Sequence, residues 1–152
     1  MGEIRAKVLL ENVSDSALFK ARHIGKESVR ARDIEAVVDT GAVMMLLPQD
    51  VVDALGLEIT GHYSALLAND ETIVLPRASR LSLTICGRPM TTDCLVGPPG
   101  CEALIGQIVL EQLDLIPDPR LRTLTPRPES PLRPTLKMKE LAFSGSVGLL
   151  QL

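Results

Sequence analysis

The chain has 152 residues, and a chain of this length folds as one domain that buries roughly two thirds of its unfolded surface without a disulfide or metal staple. Its net charge of −3 and sequence pI of about 5.4 exclude the basic surface of a nucleic-acid binder. One Tyr, two Phe and no Trp also exclude stacking platforms for bases, while 45% apolar content implies an aliphatic globular core.

The three cysteines, Cys86, Cys94 and Cys101, are odd in number and follow no framework spacing, as expected of free thiols in a reducing compartment. Met1 to Lys7 contain no apolar signal core, and no run reaches the about 18 uncharged apolar residues of a membrane span. A cytoplasmic protein without a membrane partner is expected. Asn12-Val13-Ser14 matches a glycosylation acceptor, which carries no meaning in that compartment.

In chain order, Ile4, Ala6, Val8 and Leu10 alternate with Arg5 and Lys7 and predict a half-buried strand. Ala17 to Arg32 is mixed and charged, with a hairpin turn expected at Gly25-Lys26. Ile34 to Val38 reads as a strand running into Asp39-Thr40-Gly41-Ala42. Pro48 opens a short helix over Gln49 to Leu55, with Gly56 as its stop. His62 to Leu67 and Thr72 to Leu75 read as strands around the turn Ala68 to Glu71. Leu81, Leu83 and Ile85 form another strand, and Gly87-Arg88 turns the chain back through Met90 to Val96. Gly97 to Gly100 is a loop, Gly106 to Leu113 a second short helix, and Leu115 to Thr125 a last hairpin broken by Asp118-Pro119-Arg120. Six prolines between Pro117 and Pro134 mark an extended stretch, so a domain is expected over 1–126 and a Pro-rich extension and tail over 127–152. Met138 to Leu152 has no steady period and reads as a loose or peripherally docked tail.

The chemistry centres on Asp39-Thr40-Gly41. A carboxylate at the end of a buried strand is costly unless it has partners or a job. Gly41 permits a tight turn and close approach of another chain, and the Thr40 hydroxyl can lock the turn. By itself this triplet reads as an Asx turn ending a strand.

Three ordered blocks change that weighting. They are Ala36-Val37-Val38-Asp39-Thr40-Gly41-Ala42 followed by Leu46-Leu47-Pro48; the hairpin Leu81 to Arg88 returning as Cys94-Leu95-Val96-Gly97-Pro98; and Ala103-Leu104-Ile105-Gly106 leading into a helix. The last lies about 65 residues after the first. Together they resemble the retropepsin-like aspartic proteases, in particular their bacterial single-domain members, over Ala36 to Pro126. The resemblance implies an all-β, retropepsin-type closed barrel with one or two short helices, acting as an aspartic endopeptidase on a peptide or protein substrate. It also implies that Asp39, Thr40 and Gly41 are catalytic, that the apolar-apolar-Gly block lies beside them, and that no cofactor or metal is used. Ala42, the flap residues Leu67, Ala68, Asn69 and Asp70, and Val96, Gly97 and Pro98 would bind substrate.

Aspartic-protease chemistry requires two carboxylates sharing one proton, and the chain supplies a single Asp-Thr-Gly. A two-fold axis places a residue opposite itself, so a homodimer is expected. The chain departs from the retroviral pattern in carrying Gly106-Gln107-Ile108 instead of Gly-Arg-Asp/Asn, and Val43-Met44-Met45 where acidic residues are common. Its flap tip also lacks paired glycines. A non-proteolytic dimeric peptide-binding or scaffolding module of the same fold is the alternative. His23 and His62 are too isolated for a metal site with the cysteines, and Cys86 and Cys94 read as small core hydrophobes on strands.

Overall fold

The alternation of Ile4 to Leu10 is realised in β1 (Arg5–Asn12), with Val8 and Leu10 buried and Arg5 and Lys7 exposed. The structure is a computed structural model in which residues 2–140 are described; the tail reading for 141–152 lies outside them. The remaining strands are β2 (Ala31–Val38), β3 (Leu46–Pro48), β4 (Glu58–Leu66), β5 (Thr72–Ile85), β6 (Arg88–Gly97), β7 (Leu104–Ile105), β8 (Leu115–Asp118) and β9 (Thr123–Pro126). Seven of them form one sheet in the order β1-β2-β7-β3-β6-β5-β4, and β1 also pairs with β5. The fold is therefore mostly β. β8 and β9 make the separate hairpin expected around Asp118-Pro119-Arg120.

Two expected strands merge. Thr72 to Ile85 is one strand of 14 residues, bent at an irregularity between Ala78 and Leu81 where Arg80 has φ 62°. Before the bend β5 pairs with β4, and after it with β1. Pro76 does not break the strand because it pairs only with His62, the β6 pairing beginning at Arg77. The β5–β6 turn falls one residue earlier than expected. Cys86 and Gly87, at φ 52° and 75°, form the two-residue loop, which is the conformation a tight hairpin demands. Cys86 is consequently exposed and is not the core residue expected; Cys94 is buried.

Three α-helices are present among the described residues, where one or two were expected. α2 (Gln49–Leu55) ends at Gly56 in the left-handed region (φ 64°), as its sequence predicts. α3 (Gln107–Leu113) follows Gly106. The unforeseen α1 (Val13–Lys20) begins where Asn12, read above as a glycosylation match, caps it: its side chain accepts from Asp15 N at 3.0 Å. Asn12 also donates to Leu55 O, tying α1 to the end of α2. Gly25-Lys26 is no hairpin turn. It opens a 3-10 turn (Lys26–Ser28) between α1 and β2, while Asp15 grips Arg30 through two side-chain hydrogen bonds and one from its backbone N–H, which hold the carboxyl below its ordinary pKa.

The core is aliphatic, with Leu10, Leu47, Leu81, Leu83, Ile85, Ile105 and Leu113 fully buried. Packed structure does not stop at 126. Asp114, the left-handed cap of α3, is buried; its carboxylate accepts from Arg127 Nε (2.7 Å) and Thr135 N (3.1 Å). Buried Arg88 donates to Leu113 O (2.8 Å), Asp114 O (3.2 Å) and Ser130 O. Residues 127–135 are thus fastened at three points.

Arg127 first, then Ser130 and Thr135, hold the Asp114 carboxyl down to about 2 from the ordinary 3.8. A depressed carboxylate contributes stability above its unfolded pKa and loses it as pH falls through the folded one. Thermal denaturation of Asp114→Asn should therefore show a lower midpoint at pH 7 and a smaller loss between about pH 4 and pH 2 than the parent. Equal midpoints at pH 7 would contradict the anchoring role.

Candidate active site

Asp39 follows the last residue of β2, and its position is set by backbone on both sides. Val37 and Val38 pair in parallel with Leu104 and Ile105, and Asp39 N donates to Ile105 O at 3.0 Å. Its carboxylate then closes the turn: Oδ1 accepts from Gly41 N at 2.9 Å, and Ala42 N donates to Asp39 O at 3.1 Å. This is the Asx turn of the simplest reading, with the rest of the carboxylate left half-exposed. Thr40 and Gly41 are exposed and Ala42 is partly buried. A Cβ on Gly41 would stand 3.3 Å from Asp39 Oδ1, so glycine keeps the carboxylate uncrowded.

The apolar-apolar-Gly block lies beside this turn. Gln107 N donates to Ala42 O (2.7 Å) and Ile108 N to Val43 O (3.0 Å), so the free N–H groups at the start of α3 are spent on the carbonyls of the turn. A Cβ on Gly106 would meet Met44 O at 2.6 Å and Val43 O at 2.8 Å. Glycine is required there for space, since its φ of −96° is open to any residue.

The β4–β5 hairpin is the expected flap. Its tip closes without paired glycines: Asp70 N donates to Leu67 O (3.0 Å), Leu67 N to Glu71 O (2.8 Å), and Glu71 N to Asn69 Oδ1 (3.1 Å). Asp70 takes the left-handed conformation (φ 64°), which Asp and Asn tolerate better than other side chains. Leu67, Ala68, Asn69 and Asp70 are all exposed. No hydrogen bond joins this tip to the Asp39 turn among the described residues. Of the third expected group, Pro98 is exposed, Gly97 is buried, and Val96 points into the core. Val96 and Gly97 pair with Leu47 and Pro48 of β3, which carries this segment alongside the strand that follows the Asp39 turn.

Asp50 escaped the sequence reading. From the first turn of α2 its carboxylate accepts from Gly100 N at 2.9 Å and fixes the loop that follows Pro98. An acidic residue in a first helical turn was the available signal, but its partner 50 residues away was not. The thiols are poor nucleophiles: burial pushes Cys94 up to about 12, and burial also raises Cys86 and Cys101. No group of His, Cys, Asp and Glu able to hold a metal occurs among the described residues.

No family model and no curated protein matches this chain.

The backbone approach at Gly106 is testable. Gly106→Ala should destabilise the fold by about 1–3 kcal/mol, the usual cost of overpacking. Amide exchange at Ala42 to Met45 should quicken. Parent-like stability and exchange would show that the turn does not lean on α3.

Proposed function

We propose that the chain is a retropepsin-like aspartic endopeptidase, working as a homodimer whose single site is built from Asp39 of both copies. The observation that carries this reading is the Asp39-Thr40-Gly41 turn at the end of β2, backed through hydrogen bonds by the Gly106-Gln107-Ile108 backbone. The circuit of pairings β1-β2-β7-β3-β6-β5-β1 supports the finer reading as a closed barrel of that type. Free thiols are consistent with a reducing, cytoplasmic setting.

The mechanism follows from one proton shared by two carboxylates. The ionised Asp39 takes a proton from water as the water oxygen bonds to the peptide carbonyl carbon, and the protonated Asp39 gives its proton to the carbonyl oxygen. The resulting gem-diol collapses as the newly protonated Asp39 gives its proton to the amide nitrogen, a diol hydroxyl returns a proton to the ionised Asp39 of the other copy, and the C–N bond breaks. The dyad ends as it began, with one proton. Thr40 would brace the two turns against each other, and Gly41 and Ala42 would let the substrate backbone approach. The flap tip Leu67 to Asp70 and the Gly97-Pro98 segment would close over the peptide, with Val96 contributing through the core beneath.

The flap tip favours the second reading, a non-proteolytic dimeric peptide-binding module. A tip held by three hydrogen bonds and lacking glycine is stiffer than a mobile lid needs to be. An intact Asp-Thr-Gly favours the enzyme, because a binder gains nothing from two facing carboxylates.

Asp39→Asn should leave a folded protein of parent-like melting temperature with cleavage of a denatured protein mixture lost by at least about 10³-fold, as for removal of a reacting group. Cleavage at the parental rate would end the aspartic mechanism, and no cleavage by either protein would leave the binding module standing. Specific activity of the parent should also fall on dilution as copies separate. Constant specific activity down to concentrations where light scattering reports monomer would contradict a shared site.

A further inference from the structure

We infer that Arg77 is a positioning residue for the flap: it fixes the angle at which the β4–β5 hairpin leaves the sheet, and so where the tip meets a bound peptide. The inference rests on the reading above of this hairpin as the flap of an aspartic endopeptidase. Arg77 stands at the boundary between hairpin and sheet. It is the last residue of β5 toward the tip that pairs with β6, opposite Leu95, and it also pairs with Gly61 of β4. Beyond it, the ladder pairings of residues 62–66 and 72–76 are all within the hairpin. The ladders on both sides of β5 are irregular here. The β4–β5 register shifts between Ile59 and Gly61, and the β5–β6 register between Ala78 and Leu81. A bulge leaves its extra residue without a ladder partner and bends the strand, so backbone pairing constrains the hairpin least at this point.

The Arg77 side chain supplies what the ladder lacks, because its guanidinium reaches both neighbouring strands. Nη2 donates to Thr60 O at 2.8 Å and Nε to Thr60 Oγ1 at 3.2 Å, so the bulged residue is held through its carbonyl and its hydroxyl. The guanidinium carbon lies 5.5 Å from the centre of the Tyr63 ring, on the part of β4 that runs to the tip. Nε is also 3.8 Å from Asp93 Oδ2 on β6, in the body of the sheet. One planar group thus joins bulge, flap and sheet, which a single ammonium on a flexible stem cannot do. Gly61 makes room for it. A Cβ there would stand 2.8 Å from Arg77 Nη2 and 3.1 Å from Cζ, while its backbone lies outside the left-handed region that favours glycine. Glycine at 61 therefore serves the path of the guanidinium. The exposed Arg80–Glu58 pair nearby, at 3.9 Å, ties β5 to β4 alone.

Amide exchange and steady-state kinetics on the full chain test this together. Arg77→Ala should quicken exchange about tenfold across residues 62–75 and leave Leu83 to Ile85 unchanged. Its melting temperature should stay close to the parent's, since partly exposed ion pairs contribute little. A flap that the substrate must first order binds it less tightly in ground and transition state alike, so KM should rise about tenfold with kcat within about twofold of the parent. Arg77→Lys should fall between the two proteins. Gly61→Ala, which displaces the guanidinium without removing its charge, should move exchange and KM in the same direction as Arg77→Ala. Arg80→Gln should move neither. Parental hairpin exchange in both Arg77→Ala and Gly61→Ala, or a faster hairpin with an unchanged KM, would overturn the inference and leave the Asp39 reading standing. Equal quickening throughout the sheet, or an equal effect of Arg80→Gln, would also overturn it, reducing Arg77 to a general brace. A parent that cleaves no peptide would overturn the aspartic reading and this inference with it.

Discussion

The Val43 and Met44 carbonyls stand where a side chain on residue 106 would have to go, at 2.8 and 2.6 Å from its Cβ. Other described glycines that crowd a neighbour face side chains, which can swing aside; here the neighbour is backbone. From this approach the rest of the site follows. It lets the first two N–H groups of α3 reach the carbonyls of Ala42 and Val43, and it lets β7 lie between β2 and β3. The turn bearing Asp39 is then held from its own carboxylate on one side and from α3 on the other. A carboxylate held this way keeps one position at the end of β2.

The other end of α3 is held as firmly. Asp114 and Arg88 clasp the helix terminus and the chain beyond 126 together, satisfying last-turn carbonyls that would otherwise go unpartnered. α3 therefore connects the Asp39 turn to the extension through one short element. Pro128, Pro131 and Pro134 suit a strap laid over a finished core, since prolines need no ladder partners and resist collapse into one.

Much of this was legible in the sequence where periodicity was strong. β1, the Leu81–Ile85 half of β5, α2 with its Gly56 stop, and the β8–β9 hairpin all carry local signals. β3 and β7 have only three and two residues, too few for a period, and are strands because β6 and β2 pair with them. α1 was missed because its apolar residues follow no helical face; its signal was the Asn12–Asp15 cap. The buried roles of Arg88 and Asp114 were illegible because their partners lie far along the chain. At the site, Asp39, Thr40 and Gly41 could be read directly, and the neighbourhood of Gly106 through resemblance. The inward placement of Val96 depends on its pairing with Leu47 and could not.

The central claim is that one reaction needs two copies of Asp39. Mixing the parent with Asp39→Asn chains under conditions of subunit exchange measures this directly. If each site draws one carboxylate from each copy, activity should fall as the square of the parent fraction, so an equal mixture at constant total protein retains about one quarter of the parental activity. A linear fall, with about half remaining, would mean that each chain works with its own Asp39 alone and would contradict the account.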